Sequence, residues 1–171
     1  MIRLLQILII LISFSGSAQK KNSIDFVIKN LGINVDGHFN TFEIKTEFNT
    51  EGDLVSIYGM VDVKSIKTGI DSRDEHLLEE DYFHQTKFNH IILQSTAIKK
   101  SSENNYTVSA KLTIKGKTKD IKIPVLVKTL NNKKMISSNF EINRLDFKVG
   151  GSSFVMSKTV KIQVKHYRDL Q

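Results

Sequence analysis

Over most of its length the chain alternates apolar and polar residues, the period of a strand with one buried face and one wet face. Between Ser23 and Asn30, Ile24, Phe26 and Ile28 share a face. Phe42, Ile44, Thr46 and Phe48 share the next, with Glu43, Lys45 and Glu47 opposite. From Leu54 to Lys64 the alternation groups Val55, Ile57, Gly59, Val61 and Val63. Ile91, Leu93 and Ser95 follow, then Tyr106, Val108, Ala110, Leu112 and Ile114. Ile121 to Val127, Ile136 to Ile142 and Val160 to Val164 complete the set, again at every second position. Turn residues separate the runs, with Lys115-Gly116-Lys117 as a tight hairpin. Val35 to Phe39 reads as a turn with Gly37 at its corner, and Pro124 suits an edge or an irregular pairing. About eight one-sided strands joined by hairpins predict an all-β chain, closed as an eight-stranded antiparallel barrel or paired as a sandwich.

One stretch, Thr68 to Phe83, breaks the alternation. It predicts a short helix over about 72–80, with Ser72 as N-cap and Glu75 closing a capping box. Asp74 and Glu75 fall in the first turn, where exposed N–H groups favour negative charge. Leu77, Leu78 and Tyr82 supply an apolar side. A lone amphipathic helix needs an apolar surface to cover, so it is expected near the barrel mouth.

The N-terminus obeys another rule. A basic start at Arg3, an apolar run from Leu4 to Phe14 and small residues through Ala18 predict a secretory leader over residues 1–18. The expected domain is then 19–171, exported to a periplasmic or extracellular space. There is no cysteine, so thiolate chemistry and disulfides are excluded. The net charge of +7 comes mostly from lysines at alternating strand positions, which read first as a solubilising outer face, the alternative being attraction to anionic lipid surfaces. No basic cluster or stacking motif offers nucleic acid a hold. A homodimer through a sheet edge is compatible with the pattern.

Catalytic motifs are sparse. The histidines are His38, His76, His84, His90 and His166, with no pair at the i,i+4 spacing of a zinc helix, so no metal site is expected. Gly150-Gly151-Ser152-Ser153 follows no strand-to-helix junction and reads as a loop. Arg73, Asp74 and His76 form the densest polar group. Two roles fit it: a ligand head-group or acid–base site at the mouth, or a charged helix start that caps local backbone. The phenylalanines are spread over most strands. They can fill a solid core, or they can line the hole that an eight-stranded barrel has room for. Small residues at inward positions (Gly59, Ser95, Ala110, Ser138) would leave space where a filled core wants volume, and the pattern alone leaves both readings open.

Several blocks together resemble the YceI-like polyisoprenoid-binding proteins. Arg73-Asp74-x-His76-Leu77 followed by Asp81-Tyr82-Phe83 is similar to that family's signature. So are Phe26-x-Ile28-Lys29-Asn30-Leu31-Gly32, Val35-x-Gly37-x-Phe39 and Ser65-Ile66-x-Thr68-Gly69. Leu112-Thr113-Ile114-x-Gly116-x-Thr118-Lys119 and Phe140-x-Ile142-x-Arg144-x-Asp146-Phe147-x-Val149-Gly150 complete the order. Asn30 and Asn89 depart from the pattern, where many members carry His and Pro. The resemblance implies a lipocalin-like barrel whose long apolar pocket holds a polyprenyl or quinone-type isoprenoid. It implies an exported, non-enzymatic carrier with no cofactor beyond the bound lipid. On that basis Phe26, Ile28, Phe39, Phe42, Phe48, Val61, Leu93, Leu112, Phe140 and Phe147 are expected in the pocket wall. Arg73, Asp74 and His76 are expected at the head group. The rivals are a small enzyme with His76 as acid–base and Asp74 orienting it, and a filled barrel that binds a partner.

Overall fold

The computed structural model describes residues 21–130 and 132–170; the expected leader lies outside them. The strands are β1 (Ser23–Asn30), β2 (Ile33–Phe39), β3 (Phe42–Phe48), β4 (Leu54–Asp62) and β5 (Ile66–Lys67), followed by helix α1 (Asp71–Leu78). Then come β6 (His90–Ser102), β7 (Asn105–Ile114), β8 (Lys117–Leu130), β9 (Lys133–Asn143) and β10 (Met156–Asp169). They form one antiparallel sheet in the order β3-β4-β6-β7-β8-β9-β10-β1-β2-β5, curled so that its inner face encloses an interior.

Among the described residues the strands are ten rather than eight because β2 and the two-residue β5 join the sheet. Gly37, read as a corner, lies inside β2 opposite Phe26. A Cβ there would stand 2.2 Å from the Phe26 ring and 2.9 Å from Lys67 O, so the glycine is the seat of that ring. Phe140, Ile162, Phe26 and Gly37 are register partners across β9, β10, β1 and β2. Ile44, Gly59, Leu93 and Leu112 make the matching row across β3, β4, β6 and β7. The Lys115-Gly116 hairpin forms as expected, both residues having positive φ, the conformation that matches strand twist.

Two irregularities revise the strand reading. The register slips between Glu47 and Phe48, which sets Phe48 against Leu54. Leu54 therefore points in, 3% exposed, while Val55, expected inside, is 49% exposed. Of its two expected settings, Pro124 has the irregular pairing, on an inner strand. It pairs with Thr107 of β7, but β8 pairs with β9 only from Leu126 onward. Its missing N–H falls where the ladder to β9 has ended, and its carbonyl accepts from Ser138 Oγ at 2.6 Å. Beyond it β8 and β9 diverge. The 3₁₀ turn Arg144–Phe147 packs there, Phe147 resting against Ile121 and Ile142.

The helix starts one residue earlier than expected and has no capping box. Ile70 is its N-cap, without a side-chain hydrogen bond, and Ser72 is already helical. Asp74 does the anchoring instead: its Oδ1 accepts from Thr68 N (2.8 Å) and Thr68 Oγ1 (2.6 Å), and Lys67 Nζ lies 3.4 Å from Oδ2. Arg73 donates to Thr68 Oγ1 and Thr68 O. Leu77 and Leu78 can then pack on the cluster of Phe39, Val61 and Ile66, covering one end of the barrel. Burial raises the Asp74 pKa, but the Thr68 bonds and Lys67 outweigh it and hold the carboxyl below its usual 3.8.

Stability should respond at two of these positions. Gly37→Ala overpacks the Phe26 seat and should cost about 1–3 kcal/mol in urea unfolding. Gly151→Ala, with nothing within 4 Å, should stay within about 0.5 kcal/mol. Asp74→Ala should cost roughly 1.5–3 kcal/mol at neutral pH. Because the folded-state pKa is depressed, that margin is complete above pH 3.8 and disappears as pH falls through the lowered value. A wild-type advantage that persists undiminished in acid would contradict this role.

Candidate ligand-binding cavity

The curled sheet surrounds a cavity of about 210 Å³ lined by residues of every strand except β5. A single water needs about 10–15 Å³ of such space, so this is no packing defect. The wall is aliphatic along the strands, with Ile24, Ile57, Ile91, Ile123, Val160 and Val164 among its residues. These are the inward positions that the period-2 pattern assigns.

One end lies under α1. There Tyr82 and Phe83 meet Phe147 and Val149 on the cavity wall, with Leu77 also lining it. The chain after the helix is pinned by Phe83 N to Leu77 O (3.1 Å), Gln85 N to Leu78 O (2.9 Å) and Gly150 N to Asp81 O (2.9 Å). Arg144, only 4% exposed, reaches this end of the wall. It spends its N–H groups on carbonyls of Ser157, Val149 and Gly151 at 2.8–2.9 Å. Burial lowers its pKa, and it organises the loop that leads into β10.

The far end is built from Ile136, Val125, Thr46 and His166, beyond which Leu54, Tyr106 and Val127 close the core. Tyr106 Oη donates to Asp53 at 3.1 Å, and Lys100 hydrogen-bonds the same carboxylate and holds its pKa down. Among the described residues no ladder joins the two edges of the sheet. Arg168 of β10 donates to Thr46 O of edge strand β3 across that seam. Phe48 lies beneath Lys134 Nζ, 3.9 Å from its ring centre, and Arg168, at 5.6 Å.

Of the residues expected in the wall, Phe26, Ile28, Phe39, Val61, Leu93, Leu112, Phe140 and Phe147 line the cavity. Phe42 packs beside Phe39 and Val61, and Phe48 sits at the seam; neither faces the hollow. Gly59 and Ser138 are among the small residues that border the space, whereas Ala110 is buried in the far core and Ser95 Oγ accepts from Ile57 N. Arg73, Asp74 and His76 do not line it either. Arg73 and Asp74 bind Thr68, while His76 pairs with Glu79 at 2.8 Å and stacks edge-on with Tyr82 in a surface recess. The capping role, not the mouth role, is the one their contacts fill. Thr46 and His166 do not stand out in the sequence, although alternation puts Thr46 with Ile44 and His166 in phase with Val164. Arg144 is hidden there by its neighbour Asp146, with which it makes no ion pair.

Comparison with known proteins places the chain. UPF0312 protein YE1254 of Yersinia enterocolitica is 34% identical over 102 residues, 57% of this chain and 52% of that protein. UPF0312 protein PC1_2518 of Pectobacterium carotovorum is 33% identical over 104 residues, 58% and 53% respectively. The matched region thus spans about half the length of these curated relatives. Among solved structures, Burkholderia cenocepacia BcnA superposes with a TM-score of 0.80 at 24% identity, covering 85% of this chain and 95% of that one. A domain from Saccharophagus degradans, described as polyisoprenoid binding, gives 0.69 at 19% identity, covering 87% and 94%. These likenesses are of fold. Residues 17–166 match the family model of the YceI-like domain, and the chain belongs to that family.

Proposed function

We propose that the protein is a non-enzymatic carrier or store that holds an isoprenoid-type lipid in this cavity, outside the cytoplasm. The observation that carries the reading is the hollow itself, apolar along nearly all its length, walled by strands around its girth and by α1 and the segments after it and after β9 at one end. Burying hydrocarbon is worth about 0.8 kcal/mol per CH₂, so each five-carbon unit contributes roughly 3 kcal/mol before ordering costs. A neutral hydrogen bond at the head adds only about 0.5–1.5 kcal/mol. The chain supplies the affinity and the head sets the orientation. The shared fold of the Saccharophagus degradans domain supports an isoprenoid occupant, and the apolar run from Leu4 to Phe14 supports export. The enzyme alternative draws no support from the contacts, since Asp74 and His76 have separate partners and neither borders the hollow.

Loading from a bilayer is supported by an apolar lip at the helix end. Leu31 (71% exposed), Ile33 (69%) and fully exposed Phe154 stand free of the core. Leu31 N donates to Val155 O at 2.8 Å, which joins the β1–β2 turn to the loop before β10. Exposed Lys29 and Lys158 flank them. Solvent-facing apolar side chains beside cations suit the interface of an anionic membrane.

Organic extraction of purified protein, with mass spectrometry of the extract, should recover isoprenoid lipid in near-stoichiometric amount. Gly59→Leu fills the hollow at a site where a new Cβ meets nothing closer than Leu93 at 3.9 Å. It should lower lipid recovery several-fold without lowering Tm; equal recovery from this variant would remove the cavity from consideration. The pair Leu31→Ser and Phe154→Ser should slow lipid uptake from anionic vesicles while leaving equilibrium affinity in detergent unchanged. Unchanged uptake rates would dismiss the lip.

A further inference from the structure

Two cavity side chains have chemistry that the carrier reading leaves unused, and the role inferred for them rests on that reading. Thr46 is 7% exposed and lines the hollow, and its Oγ1 is buried with no hydrogen-bond partner among the described residues. His166 lines the same hollow, and its Nδ1 is likewise buried and unpartnered. Burying a hydroxyl or a ring nitrogen without a partner is destabilising, so native folds keep few such groups. The other strongly polar wall groups are satisfied: Ser138 Oγ donates to Pro124 O, and Arg144 is held by its carbonyls. The two residues line the same hollow, and the strands that carry them are tied together. Arg168, two positions after His166 on β10, donates to Thr46 O and brings the strands together at the far end.

We propose that Thr46 Oγ1 and His166 Nδ1 form a seat for an uncharged oxygen-bearing lipid head, a hydroxyl or a carbonyl, at the end of the cavity remote from α1. A threonine hydroxyl both donates and accepts, and a neutral imidazole offers one N–H and one lone pair. Together they match a group with one oxygen. Burial, with Arg168 adding to it, lowers the His166 pKa from 6.5, so at neutral pH the ring brings no charge. A diphosphate head would carry several negative charges into an apolar end where Arg168 is not among the lining residues and already donates to Thr46 O. Its counter-charge on the wall is Arg144, at the opposite end. The two classes of head therefore require opposite orientations of the chain.

The test uses the delipidated full domain and three probes sharing a fifteen-carbon skeleton: farnesol, farnesyl diphosphate and the headless hydrocarbon farnesane. Native mass spectrometry or equilibrium dialysis reads the affinities. Farnesol should bind roughly three- to tenfold tighter than farnesane, the worth of a neutral hydrogen bond, and tighter than the diphosphate. Thr46→Val keeps the shape and removes the hydroxyl. It should cancel that advantage, leave farnesane binding alone and raise Tm, because an unpaired buried group is gone. His166→Phe should also cancel the preference, and it stands in if the first variant does not fold. Variants that keep the full farnesol preference overturn the seat and leave the carrier reading standing. A diphosphate that binds tightest overturns the neutral head. Wild-type protein that binds none of the three overturns the carrier reading itself.

Discussion

The structure depends on a mismatch between girth and filling. Backbone ladders set how far apart the walls of the curled sheet stand, and those ladders run almost unbroken from β3 round to β5. The side chains that point inward are mainly Ile, Val and Leu, with Gly59 and Ser138 among them, and together they do not span the distance. Ordinary cores leave few voids larger than a water. Here the bore persists because collapsing it would break interstrand hydrogen bonds whose buried groups have no other partners. Both ends can then be sealed by local devices: α1 anchored through Asp74 and Thr68 at one, the Tyr106–Asp53–Lys100 group at the other.

This division of labour explains what is legible in the sequence. Alternation reports which side of a strand is apolar, and it places Phe26, Leu93, Leu112 and Phe140 on the inner wall because their strands keep register. It fails at Val55, where a bulge opposite Phe48 reverses the phase, a change with no compositional marker. β2 reads as a turn because glycine and aspartate are poor strand formers; Gly37 is tolerated there because the Phe26 ring occupies the volume of a side chain. The helix is legible and its cap is not. Ser72 and Glu75 have the spacing of a capping box, yet a contact from six residues back, Thr68 to Asp74, holds the helix start.

The site is legible as a surface and illegible as points of chemistry. Arg73, Asp74 and His76 attract attention by charge density, but charged side chains crowded at a helix start tend to satisfy one another, and these do. Thr46 and His166 sit in apolar runs and look like minor breaks in the pattern. Their importance depends on the lack of a protein partner, which a sequence does not disclose. Membership of the YceI-like family accounts for the architecture. The properties of the hollow come from this chain's own side chains.

Among the described residues the wall carries two lines without ladder hydrogen bonds: the seam beside β3, bridged by Arg168 and Phe48, and the divergence of β8 from β9 past Pro124. A closed barrel has a fixed circumference. A sleeve slit along two generatrices behaves instead like a split collet, able to spread by sliding side chains over one another while every existing rung stays intact. A thicker or branched guest would then widen the bore at the expense of the Arg168–Thr46 hydrogen bond, the cations over Phe48 and packing contacts, with the ladders left whole.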